Sequence, residues 1–376
     1  MGQPRLREVE KQEILDLPML VLTLLLTALG LMMIYSSSYA RALYESGDSG
    51  YYFKRQLLFA LLGTGAMLAV SRVRPQLIRK LAFPVLGVSV VFLVLVFVPG
   101  IGRSENGATR WVSMGISFQP SEVAKLGIIL SFAALISAFG EKMETFRWGI
   151  APFGAILAVI VVLLRLEPHN SAIVIIVCTA GAMLFLGGVK YRWFILVGCA
   201  MLLGLVLILG AGGYEASRIT AWRDPFSDPT DDGYQIIQSL YAIGSGGLFG
   251  LGFGQGRQKY LYLPEEHNDY IFSIVCEELG LVGAAAILLL YALLILRGYW
   301  ISMHIRDRFL SLMVAGITTL TALQVFFNIG VVTNLLPSTG ISLPFFSYGG
   351  TALLIQLGEM GLILGASRQC SAGFLS

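Results

Sequence analysis

The chain has 376 residues, 56% of them apolar or aromatic and only 13% charged, with 43 glycines. Soluble domains carry roughly 25% charged residues. A net charge of +3 and a mean hydropathy of +0.76 argue against a soluble enzyme, a disordered tail and a nucleic-acid binder, and make a lipid bilayer the solvent. Of the four cysteines, Cys178, Cys199 and Cys276 sit in apolar runs and Cys370 in the terminal tail. None has the close spacing of a zinc site.

A hydrocarbon core about 30 Å thick needs roughly 20 apolar residues per helical crossing. Ten segments are candidates, at about 17–35, 56–71, 81–98, 122–139, 149–164, 170–187, 193–210, 270–296, 309–331 and 345–366; the second and fifth are short, so their boundaries are soft. The first is too long for a signal-peptide core and has no small-residue cleavage pattern after it, so it reads as a span. The expected fold is an all-α polytopic membrane protein. It has a tail over 1–16, spans one to seven over 17–210, a large extracytoplasmic loop over 211–269, spans eight to ten over 270–366 and a tail over 367–376.

Basic residues set the orientation. With the N-terminus inside, the inner segments hold about 15 Lys and Arg in roughly 65 residues, against about 10 in roughly 120 outside. Both termini are therefore expected to be cytoplasmic.

The loop between spans seven and eight is far longer than a connection requires, and such loops are usually functional or disordered. Its aromatic content and the amphipathic run Tyr234-Gln-Ile-Ile-Gln-Ser-Leu-Tyr241, preceded by the capping candidates Asp231 and Asp232, predict a folded element on the outer membrane face. The Gly-rich stretch from Gly244 to Gly256 lacks the Lys-Ser/Thr ending of a phosphate loop and reads as tight turns against the membrane.

Charges near membrane depth cost at least ~2.5–3.5 kcal/mol each and mark functional candidates. Glu122 and Lys125, at the outer start of the fourth span, share one helix face at i, i+3; they read as a local ion pair or as site residues. Asp269 stands at the outer start of the eighth span, where an N-cap is the simple reading and a proton acceptor the sharper one. His267, two residues earlier, reads as a solvent-exposed loop histidine able to titrate near neutral pH. Glu277 and Glu278 point to different helix faces, which disfavours a shared acid–base dyad and favours a bond to a neighbouring helix. Asn328 and the Pro- and Gly-rich segment 337–350 predict broken backbone packed against protein or edging a wet cavity.

Several long motifs occur together: Asn106-Gly-Ala-Thr-Arg110-Trp111, Gln119-Pro-Ser-Glu-Val-Ala-Lys125, Gly233-Tyr-Gln-Ile-Ile-Gln-Ser, Leu263-Pro-Glu-Glu-His-Asn-Asp-Tyr-Ile-Phe, Glu277-Glu-Leu-Gly280 and Leu343-Pro-Phe-Phe-Ser-Tyr-Gly-Gly350. In that order, in a chain of about ten spans, they resemble the SEDS family (shape, elongation, division and sporulation). The wording from Gly340 to Pro344 is most similar to its FtsW/SpoVE branch.

The resemblance implies a peptidoglycan glycosyltransferase that polymerises lipid II at the outer membrane face for septal, sporulation or elongation synthesis. The implied partners are a class B penicillin-binding protein and other division, sporulation or elongation machinery, with membrane lipid around it and no nucleic acid. It implies Asp269 as the catalytic carboxylate, with Lys125 and Glu122 beside it in the catalytic set. Arg110, His267, Ser347, Tyr348 and Gly349 are the implied substrate-binding residues. A divalent cation, Mg or Mn, fits the chemistry when held by substrate oxygens and one or two carboxylates, with no organic cofactor. A lipid II transporter and a non-catalytic scaffold that recruits a transpeptidase are the alternatives. The chain departs from the pattern at position 169, where His169 stands in place of an Asp that follows the proline in many relatives; Glu167 is the nearby acid.

Overall fold

A computed structural model of the chain describes residues 15–105, 108–113, 117–195, 198, 214–230 and 233–370. Within them run the helices α1 (Leu17–Ser46), α2 (Tyr51–Val70), α3 (Pro75–Leu95), α4 (Pro120–Phe139), α5 (Ala151–Leu166), α6 (Asn170–Leu186), α7 (Tyr214–Arg223), α8 (Tyr234–Gly246), α9 (Ile271–His304), α10 (Arg308–Val332) and α11 (Gly350–Ser367). Eight of the described helices are long and apolar enough to cross a membrane, and α6 is a shorter apolar one. They match nine of the ten expected spans. The seventh, 193–210, lies mostly outside the described residues, as do Asp231 and Asp232; the observed N-cap of α8 is Gly233, which makes no side-chain bond.

Local chemistry sets the helix ends. Asp16 caps α1 by accepting from the Met19 N–H at 2.9 Å, and Gly47, with φ +70°, closes it. At 30 residues α1 is about 45 Å long, and it passes well beyond the residue-35 boundary expected from its apolar run. Likewise α11 begins at Gly350, because 337–349 forms an irregular loop rather than the first turn of the last span.

One end of the bundle is tied by charges. Arg297 meets Asp16 at 2.7 Å, Arg79 meets Asp307 at 3.0 Å, and Arg308 donates to the Gly187 carbonyl at 3.1 Å. Asp307 also caps α10 through the Leu310 N–H. The chain therefore leaves α6 at this end. It reappears at the other end, where Trp222 and Asn334 exchange hydrogen bonds.

At that other end is a feature the sequence reading did not foresee: an antiparallel three-stranded sheet of β1 (Gly102–Glu105), β2 (Ala108–Ser113) and β3 (Ser117–Phe118), with Arg103 opposite Trp111. It pairs the backbone of the connection between α3 and α4 and sets Arg110 on the central strand. The core is built around α10, which is largely enclosed by α4, α6, α9 and α11, whereas α2, α3 and α5 show their apolar faces to lipid.

Candidate active site

A cavity of about 730 Å³ opens at the sheet-bearing end of the bundle. All eight residues implied by the sequence resemblance line it: Asp269, Lys125, Glu122, Arg110, His267, Ser347, Tyr348 and Gly349. They come from β2, α4 and the two loops that precede α9 and α11.

Lys125 and Glu122 form a buried ion pair, Nζ to Oε1 at 2.7 Å, and both line the cavity. Proline at position 120 starts the helix and places Glu122 in the first turn, where the helix dipole favours an acid. Glu359 of α11 is buried nearby and acts electrostatically on both members of the pair.

Asp269 is not the N-cap of α9. Tyr270 holds that position without a side-chain cap bond, which leaves the Asp269 carboxylate on the cavity wall. Its backbone is fixed by Asn328, whose Nδ2 donates to the Asp269 and Ile341 carbonyls, each at 2.7 Å. Gly340 has φ +66°, and a Cβ there would stand 3.1 Å from Asp269 Oδ2, so a side-chain-free residue lets the 337–349 loop approach the carboxylate. That loop edges the cavity, as the sharper reading of the Pro- and Gly-rich segment expected.

The two loops are stitched directly. Tyr348 N–H donates to the His267 carbonyl at 2.8 Å, Ser347 Oγ donates to the Asn268 carbonyl at 2.8 Å, and Gly349 N–H donates to Gln56 Oε1 at 3.2 Å. His267 is buried, not solvent-exposed: its ring lies 4.6 Å from Tyr52 and 5.7 Å from Tyr348, centroid to centroid. Glu266, behind it, takes a two-point bond from Arg41 at 2.7 and 2.8 Å. Burial pushes the Glu266 carboxyl up, but His267 and Arg41 outweigh it and hold the group below its ordinary value.

At the position of departure, His169 lines the cavity and its Nε2 lies 3.2 Å from Gln119 Nε2, while Arg110 donates to the Pro168 carbonyl at 2.6 Å. Burial, reinforced by Arg110 and Lys125, lowers the His169 pKa to about 3, so the ring is neutral. Glu167 is buried away from the cavity lining and does not replace the missing acid there. Burial raises its pKa to about 8 against the pull of Arg110.

Glu277 and Glu278 do not line the cavity. Glu278 accepts from Ser36 Oγ of α1 and Lys259 Nζ, each at 2.7 Å, which is the expected bond to a neighbouring helix, and Glu277 accepts from the Arg257 N–H at 2.8 Å; both carboxylates turn onto the one loop over 254–259, not to the opposed faces that their spacing predicts. Residues the sequence reading missed are Arg41, Arg55 and Arg103, which add positive charge to the wall. Arg41 and Arg55 fell just outside spans drawn too short; a first helix continued to Ser46 takes in Arg41, and a second begun at Tyr51 takes in Arg55.

The family model for cell cycle proteins of the FtsW, RodA and SpoVE type matches residues 16–372. The chain belongs to the FtsW/RodA/SpoVE family. Stage V sporulation protein E of Bacillus subtilis is 41% identical over 354 residues, covering 94% of this chain and 97% of the relative. A probable peptidoglycan glycosyltransferase FtsW of Geobacter metallireducens is 38% identical over 363 residues, covering 96% of each. Among solved structures, a chain of a peptidoglycan synthase complex that coordinates polymerization and crosslinking superposes with a TM-score of 0.79 at 27% identity, covering 94% of this chain and 98% of its own length. The rod shape determining protein RodA of Thermus thermophilus superposes at 0.69 with 28% identity, covering 94% and 97%. This FtsW/RodA/SpoVE member is thus a multi-pass, mostly helical membrane protein.

Proposed function

We propose that this chain is a peptidoglycan glycosyltransferase that polymerises lipid II, with both termini cytoplasmic and the cavity open to the outer leaflet. The observation that carries the reading is that Asp269, Lys125 and Arg110 line one cavity at the end of the bundle, rather than at its midplane.

Chain growth replaces an anomeric diphosphate by the 4-hydroxyl of another sugar. The acceptor oxygen bonds the anomeric carbon, the bond from that carbon to the phosphate oxygen breaks, and the hydroxyl proton needs a base. Asp269 takes that proton, and Lys125 and Arg110 stabilise negative charge building on the departing diphosphate. Glu122 orients Lys125 through the 2.7 Å ion pair. His267, Ser347, Tyr348 and Gly349 form the wall that positions substrate and hold the two loops together. Among the described residues no three His, Cys, Asp or Glu side chains converge as a metal site. Asp269 would be the residue to hold Mg or Mn, which would supply further charge neutralisation at the diphosphate.

A class B penicillin-binding protein is the partner that fits this role, by similarity to the complex that joins polymerization to crosslinking. The test is gel-resolved glycan formation from lipid II by the purified chain, alone and with such a partner, in Mg and in Mn. Polymer in any of these conditions supports the proposal. Its absence from all of them moves the reading to transport or scaffolding.

A further inference from the structure

Helix α9 breaks at Gly280, whose φ of +66° and ψ of −170° lie outside the helical region. The break frees backbone groups of α9, which need partners wherever water is scarce. A single stretch of the preceding loop takes them up. The N–H groups of Leu251 and Gly252 donate to the Glu277 and Glu278 carbonyls at 2.9 and 3.0 Å. The carbonyls of Gly247 and Leu248 accept from the Leu281 and Val282 N–H groups at 2.9 and 3.1 Å.

The approach requires glycine on both sides. A Cβ on Gly246 would stand 1.9 Å from the Cys276 carbonyl oxygen, one on Gly250 2.1 Å from that of Glu278, and one on Gly280 2.3 Å from the Gly250 nitrogen. Side chains then lock the loop. Glu278 accepts from the Gly254 N–H at 3.0 Å and pairs with Lys259, and Glu277 accepts from the Arg257 N–H.

The side chains turned outward by this docking are apolar. Phe249 is 80% exposed and Leu248 61%, beside Leu281 at 62% and Val282 at 55% on α9 itself. Their depth follows from α9. Counting about 20 residues back from Arg297, roughly 30 Å of helix, reaches Glu277. The loop therefore joins α9 at the hydrocarbon boundary on the cavity side, and its apolar surface continues the lipid-facing surface of the helix.

We propose that residues 248–253 are a re-entrant tip that embeds Leu248, Phe249 and Phe253 in the acyl–headgroup zone of the leaflet on the cavity side, with lipid as its partner. Amphipathic elements seat their apolar face about 5–10 Å into that zone. The inference rests on the membrane architecture alone and stands or falls independently of the enzymatic reading.

Phe249→Cys, in the full chain with its four native cysteines replaced by alanine, is labelled with a nitroxide and reconstituted into phosphatidylcholine–phosphatidylglycerol vesicles. Collision with oxygen is expected to exceed collision with a water-soluble nickel chelate several-fold, as at Leu281→Cys, with the order reversed at Asp48→Cys. A nickel-dominated signal at position 249 overturns the proposal. So does low access to both reagents, which would place protein over the tip. Should Phe249→Cys fail to fold, Phe253→Cys carries the same test with the same outcomes.

Discussion

Asn328 and Asp269 are joined through the backbone: the Asn328 amide donates to the Asp269 carbonyl at 2.7 Å and, from the same nitrogen, to the Ile341 carbonyl at 2.7 Å. One side chain on α10 thus sets the spacing between the loop that carries Asp269 and the loop that carries Gly340. Asn328→Ala leaves two acceptors without their donor and is expected to cost about 1–3 kcal/mol, read as a lower unfolding midpoint in detergent. Lipid II polymerisation should fall further than that loss explains, because the carboxylate is no longer held. An Asn328→Ala enzyme with unchanged turnover would contradict the tether.

Lys125 and Glu122 make a buried pair, so removing either strands the other. Each single variant, Lys125→Met or Glu122→Gln, should be destabilised by about 3–5 kcal/mol, with the double variant less affected than either. Polymerisation should nevertheless be lost in every variant that lacks Lys125. A double-mutant cycle on stability, run beside activity, separates the structural pair from the cation's role at the diphosphate.

Stability should vary with pH through Glu167 and His169. The folded pKa of Glu167, about 8, lies above the ordinary 4.5 of a glutamate, so the native state holds a proton that the unfolded chain releases; this contribution declines as pH rises from 4.5 through 8. His169, depressed from 6.5 to about 3, has the opposite sign: its contribution is present above pH 6.5 and is lost as pH falls toward 3. Between pH 6.5 and 8 the His169 contribution is complete, and Glu167→Gln should reduce the slope that remains. Unfolding midpoints across that window check the assignment; an unchanged slope would refute it.

Glu278 and Glu277 differ in what they hold. Glu278 faces the buried Lys259 ammonium, whereas Glu277 accepts only backbone N–H groups, from Arg257 and Gln258. Glu278→Gln strands a buried cation and should cost about 3–5 kcal/mol, while Glu277→Gln keeps an acceptor oxygen and should cost about 1 kcal/mol. Denaturation of the two variants under one condition tests the order.

Much of this is legible in the sequence, for physical reasons. Long apolar runs report membrane spans because hydrocarbon tolerates little else. The motif residues from Arg110 to Gly349 converge because they flank helix ends on the same side of the bilayer. Harder to read were features that depend on partners distant in sequence. The burial of His267 comes from Tyr52 and Tyr348, the irregular start of the last span from contacts with Gln56 and Asn268, and the small sheet from pairing across a short connection. Asp269 looked like a cap because acids favour helix starts, yet the helix begins one residue too late for it. Arg41 and Arg55 lay beyond boundaries set by apolar runs, since helices continue past the hydrocarbon core wherever capping permits.

The most direct test of the central claim compares wild type with Asp269→Asn in glycan synthesis from purified lipid II, with lipid II binding and thermal unfolding measured on the same preparations. Polymer from the wild type and none from a variant that still folds and binds lipid II is the result expected. A variant that polymerises at the wild-type rate would contradict the assignment of Asp269 as the base.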